Sequence, residues 1–87
     1  MKNHAKASGK LIDYKVFLTE KGKKLAHLQL EDERRRVSWV LVPAHLFKKA
    51  EERVEAAFAL QQEIAAVGTT EELDTGPRLV ASELEFT

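Results

Sequence analysis

The 87-residue sequence contains no cysteine. Disulfides, zinc–thiolate centres and thiol nucleophiles are thereby excluded together. Long apolar runs are missing as well. The longest uncharged apolar stretch, Val37 to Phe47, is interrupted by Ser38, Pro43 and His45 and is too short to span a bilayer. No membrane partner is expected. Residues 1–9 are basic but lack the apolar run of a secretory leader. The expectation is a cytoplasmic protein with a flexible basic tail over 1–9 and one folded domain over 10–87. Motifs of catalysis are also wanting. There is no glycine-rich phosphate loop, no His-Glu-x-x-His and no serine in a nucleophile elbow. His4, His27 and His45 fall on a tail, a strand and a helix start, without metal-ligand spacing. A chain this short buries only about 60% of its unfolded surface, which leaves no room for a large enclosed active site. The sequence calls for no enzyme, no cofactor and no metal.

What is present is a strand-rich first half. Leu11–Leu18 is rich in β-branched and aromatic residues, and Ile12, Tyr14, Val16 and Leu18 fall on one side at period two. Glu20-Lys21-Gly22-Lys23 follows, a turn whose glycine supplies the positive φ of a tight hairpin. Leu25–Leu30 alternates, with Ala26, Leu28 and Leu30 on one face and Leu25, His27 and Gln29 on the other. A charged turn from Glu31 to Arg34 leads to a third strand, Val37–Val42, ended by Pro43. From Ala44 onward Phe47, Ala50, Val54, Ala57 and Phe58 form a helical stripe. Two readings of the next segment stand: the helix continues to a glycine stop at Gly68, or it ends near Leu60 and Glu63–Val67 is a strand. Asp74–Pro77 is a turn and Arg78–Phe86 a last strand.

Formal net charge is zero, yet it is unevenly distributed. Residues 1–49 hold twelve Lys/Arg against five Asp/Glu, and residues 50–87 hold two against nine. If folding keeps the halves apart, the basic one attracts a polyanion and the acidic one repels it. If not, the two halves neutralise one another as ordinary solvated surface.

Thr19-Glu20-Lys21-Gly22-Lys23-Lys24-Leu25-Ala26-His27-Leu28-Gln29-Leu30-Glu31-Asp32, with Val40-Leu41-Val42-Pro43 after it, resembles the central hairpin of the OB-fold of the anticodon-binding type. That type occurs in class II aminoacyl-tRNA synthetases and near the C-terminus of the bacterial DNA polymerase III alpha subunit. Val67-Gly68 and Gly76–Leu84 are similar to its last two strands, so the resemblance covers residues 10–85. It implies a mainly β protein, a five-stranded OB-fold barrel with one helix between strands 3 and 4. It also favours the strand reading around Gln62–Val67.

In such a barrel nucleic acid crosses the second and third strands, between the first and last hairpin loops. The positions this implies are Lys15 and Phe17 on the first strand, Lys21, Lys23 and Lys24 in the first loop, and His27 and Gln29 on the second strand. Arg34, Arg35 and Arg36 add cations at the far turn, and Ser38 falls at the base-reading position. Lysine meets phosphate as a point charge, and histidine or glutamine can stack on or hydrogen-bond to a splayed base. Trp39 has two possible sides. Facing out it is a stacking platform; with Ser38 at the reading position it becomes core. The expected partner is single-stranded DNA or RNA. The alternative is an interaction module, an accessory subunit or inhibitor, binding a basic protein through Glu51, Glu52, Glu55, Glu71, Glu72 and Asp74. A homo-oligomer is compatible with either.

Overall fold

The computed structural model describes residues 4–87. Five strands and one helix follow in the order β1 (His4–Leu18), β2 (Lys24–Glu31), β3 (Val37–Val42), α1 (Ala44–Leu60), β4 (Glu63–Leu73) and β5 (Gly76–Phe86). The strands close into a barrel in the order β1-β2-β3-β5-β4. All neighbours are antiparallel except β3 and β5, which run parallel. This is the five-stranded OB-fold with its helix between β3 and β4.

Closure depends on β1, which serves two partners. Residues His4–Lys10 pair with β4 and Lys10–Leu18 pair with β2, so Lys10 belongs to both ladders. The expected flexible tail is therefore corrected over residues 4–9, which are strand; Met1–Asn3 lie outside the described residues. Ala5, Ala7 and Gly9 alternate with Lys6, Ser8 and Lys10 here, and the small residues face inward where backbones crowd. A Cβ on Gly9 would lie 2.6 Å from the Glu31 carbonyl carbon.

The core is formed by alternating residues of each strand. Leu11, Leu28, Leu30, Val40, Val42, Ile64, Ala66, Leu79 and Ala81 are buried, and α1 adds Phe47, Ala50, Val54 and Ala57. Among the described residues no polar or charged residue is buried. Leu28, Leu30 and Leu79 match the sequence expectation; Ile12, Val16 and Val80 do not. A bulge between Leu11 and Asp13 turns Leu11 inward in place of Ile12. On β5 the inward pair is Leu79 and Ala81, with Val80 only half-buried. Val16 stays 43% exposed although it lies opposite the buried Ala26. Tyr14, beside it, meets Phe58 of α1 edge to face at 5.3 Å.

α1 begins after Pro43, whose fixed φ suits the first turn. It stops at Gln61 although Gln, Glu and Ala are good helix formers. Gln61 adopts the left-handed conformation, φ 53°, and the Gln62 N–H bonds back to the Ala57 carbonyl at 2.8 Å. That closes the helix in a Schellman motif and sends the chain into β4. Ile64, Ala66 and Gly68 then face inward at period two. Arg53, 4.7 Å above the Phe86 ring, ties α1 to β5. No helix among the described residues is long and apolar enough to cross a membrane.

Candidate nucleic-acid interface

Strand register decides which side chains share the outer face of β1, β2 and β3. Lys15 lies opposite His27, Phe17 opposite Leu25 and Asp13 opposite Gln29. Across the next ladder His27 faces Leu41 and Gln29 faces Trp39. The intervening residues Ala26, Leu28, Leu30, Val40 and Val42 are buried, so all of these partners point outward. Phe17, His27 and Trp39 consequently occupy a diagonal across three strands, at the spacing where large side chains still reach one another. Phe17 meets His27 edge-on, with ring centroids 5.0 Å apart. Phe17 is 45% and Trp39 50% exposed.

The placement of Trp39 and Ser38 reverses the expectation that the resemblance implied. The five-residue turn Asp32–Arg36 sets Glu31 against Val37 and Leu30 against Ser38. Ser38 therefore lies on the inner side with Val40 and Val42, half-buried, and Trp39 is turned out. The turn is held by Asp32, whose Oδ1 accepts the Arg34 and Arg36 N–H groups at 2.8 and 2.9 Å. Arg35 takes the left-handed position, φ 64°.

Of the expected site residues, Lys15, Phe17, His27 and Gln29 come together on this face. The lysine hairpin adjoins its β1–β2 end. Gly22, φ +76°, donates to the Thr19 carbonyl at 2.9 Å, and Thr19 Oγ1 accepts the Lys23 N–H. Lys21 and Lys23 are exposed, whereas Lys24 Nζ lies 3.3 Å from Glu51 Oε2 on α1. Arg34–Arg36 stand at the opposite end of β2, where Arg34 shares a hollow with Ser8, Gly9, Glu33 and Glu63. They do not join the aromatic diagonal.

The structure adds a residue that sequence reading passed over. Trp39 precedes Val40 as Arg78 precedes Leu79, and Val40 pairs with Leu79, so Arg78 emerges beside Trp39. Its guanidinium crosses the outer side of β3. Nη1 lies 3.3 Å from His27 Nε2, and Nη2 donates to Glu71 Oε1 at 2.7 Å. Arginine has no acceptor, so His27 Nε2 is the unprotonated nitrogen in this contact. Burial, and then the neighbouring Arg78 charge, hold the His27 imidazole below its usual pKa of 6.5. A hollow of about 370 Å³ is lined by His27, Trp39, Leu73, Pro77 and Arg78. A second, about 320 Å³, shares Trp39 and Arg78 and extends to Lys6, Ser38 and Thr70. Flat exposed rings, a planar cation and hollows between them suit stacked bases with phosphates alongside. A clue lay in the short turn: fixing its register fixes the side on which Trp39 emerges.

No family model and no curated protein matches the sequence. Solved structures share the fold. The wild-type single-stranded DNA binding protein from Thermus aquaticus superposes with a TM-score of 0.71 at 23% identity, over 98% of this chain and 40% of that one. The Ralstonia solanacearum protein PriB gives 0.70 at 12% identity, over 97% and 96%. The Plasmodium falciparum SSB complex with ssDNA gives 0.65 at 12% identity, over 98% and 94%. The chain thus spans less than half of the T. aquaticus chain and nearly all of the other two.

Proposed function

We propose that this protein binds single-stranded nucleic acid, with DNA as the primary ligand, across the outer face of β1, β2 and β3. The observation that carries the reading is Trp39. A tryptophan half-exposed in line with Phe17 and His27 has no packing role that requires that exposure, and successive bases stack on such rings irrespective of sequence. Lys15, Lys21 and Lys23 then meet phosphates beside the bases, and Gln29 lies within hydrogen-bonding reach of a base on Trp39. Arg34, Arg35 and Arg36 take the strand where it leaves the face, and Lys24 contributes only by giving up Glu51. Ser38, turned toward the inner side of β3, lines the second hollow and not the stacking face. Similarity of fold to the T. aquaticus single-stranded DNA binding protein and to the P. falciparum SSB bound to ssDNA supports the ligand class. The anticodon-type resemblance of the Thr19–Asp32 hairpin places RNA in the same assay as competitor.

The acidic surface is less well suited to a basic protein partner. Glu51 and Glu71 are each engaged by a cation of their own chain.

Trp39 is the only tryptophan in the chain, so its fluorescence reports directly on the proposed site. Titration with oligothymidylate at low salt is expected to quench it, with a log–log salt slope of about −0.7 for each phosphate engaged. K21A/K23A flattens that slope by about 1.4 units if both lysines contact phosphate. W39A weakens binding roughly 5- to 150-fold, the worth of one stacked base; anisotropy of a labelled oligomer reads this variant. No binding of any single-stranded oligomer at low salt refutes the proposal.

A further inference from the structure

We infer that Arg78 is a phosphate-binding residue and that in the free protein the Glu71 carboxylate holds the phosphate's place. The inference rests on the nucleic-acid reading above and adds a specific site to it. Glu71 and Arg78 are cross-strand partners at the β4–β5 hairpin. Arg78 is anchored at both ends of its guanidinium, by His27 on β2 and by Glu71 on β4. A guanidinium carries five N–H donors, and these two contacts use two of them. The Nε donor is buried with no acceptor in the protein, the one such side-chain atom among the described residues. Donors therefore outnumber acceptors at Arg78, a residue that lines both hollows beside Trp39.

A carboxylate and a phosphodiester offer a guanidinium the same forked pair of oxygens. The two partners differ in how they are held. The Arg78 side chain is 19% exposed and the Glu71 side chain 46%. The acid can swing into water while the arginine stays over β3. An ion pair with an exposed partner is weak, and a phosphodiester whose base stacks on Trp39 arrives with a second attachment. The strand thus displaces Glu71 and takes over its oxygens' positions on Arg78.

Glu72 supplies the control. It follows Glu71 in the same strand, faces the other side of the hairpin and pairs with Pro77, so E72Q removes an equal charge without touching Arg78. Affinity for oligothymidylate is measured by Trp39 quenching over a range of salt. E71Q is expected to tighten binding roughly two- to fivefold, the factor an exposed ion pair is worth, and to steepen the salt slope by up to about 0.7. E72Q is expected to change affinity by a factor of about 1.5 or less. E71Q/R78Q is expected to lose the gain. If E71Q destabilises the hairpin in thermal unfolding, E71T, a better strand residue, replaces it in the same comparison. Equal gains for E71Q and E72Q, or no gain for E71Q, overturn the assignment and leave nucleic-acid binding standing. A wild-type protein that binds no oligomer brings down both.

Discussion

Replacing Gly68 with alanine tests the closure of the barrel. Gly68 lies in β4 at a register shift, between Ala5 of β1 and Ala81 of β5. A Cβ there would overlap the Val80 carbonyl oxygen and lie 2.8 Å from its carbon and 2.9 Å from the Ala81 Cα. These are backbone atoms, so no side-chain rotation relieves the clash and β5 must shift away from β4. Overpacking of this kind costs about 1–3 kcal/mol. Weakening two ladder hydrogen bonds at the bulge adds about 1 kcal/mol each, for a total near 3–5 kcal/mol. A domain of this size has roughly 4–13 kcal/mol in all. With an m-value near 1 kcal/mol/M, the urea midpoint read by far-UV circular dichroism is expected to fall by about 3 M or more, or the variant fails to fold. G22A is the control. Gly22 has a positive φ, but nothing lies within 4 Å of the point a Cβ would occupy, so its cost is conformational and about 1 kcal/mol. A G68A midpoint within about 0.5 M of wild type, or a larger loss from G22A than from G68A, refutes the close-approach argument.

Two further outcomes follow from local geometry. Gln61→Gly removes a Cβ from a left-handed helix terminus and is expected to stabilise the fold by about 0.5–1 kcal/mol in the same urea assay, with β4 unchanged; a loss of stability contradicts the Schellman reading. His27, whose folded pKa is lowered, binds protons less readily than the unfolded chain does. Its contribution to stability is therefore full above about pH 6.5 and declines as pH falls below that value toward the folded pKa. An NMR titration should place the His27 midpoint below 6.5, and R78Q should raise it only part of the way back, because burial is the larger cause. A midpoint unmoved by R78Q would mean that the His27–Arg78 contact is not formed in solution.

The fold was legible where the hydrophobic pattern is one-sided. Ala26, Leu28 and Leu30 alternate with polar residues and announce both β2 and its inner face. β3 is apolar at five of six positions, so period two says nothing about which side Trp39 takes. That information resides in the pairing with β2, which the Asp32–Arg36 turn determines. The first half of β1 was hidden for a different reason. Ala5, Ala7 and Gly9 are inward because the barrel is tight there, and small residues at period two carry no hydrophobic signal. The end of α1 was ambiguous because Gln61 makes the turn usually assigned to glycine, and a left-handed glutamine leaves no mark in composition. Arg78 escaped notice because its role comes from crossing β3 to reach His27, a contact between residues 51 positions apart. The shared outer face of Lys15, Phe17, His27 and Gln29 and the position of the first-hairpin lysines were legible because a single strand and a single turn suffice to place them.

The double duty of β1 also bears on how the chain reaches its fold. Its second half joins β2 through a short turn, a contact between near neighbours in sequence that forms on the microsecond scale of isolated hairpins. Its first half must find β4, pairing His4 with Thr69, and the intervening loop costs entropy before any ladder bond rewards it. β1 to β3, which carry the aromatic diagonal, can thus assemble as a meander before the seam at Ala5–Ser8 zips shut. Closure thus waits on two pairings distant in sequence, β1 with β4 and β3 with β5, while the face that carries the aromatic diagonal needs only neighbouring strands.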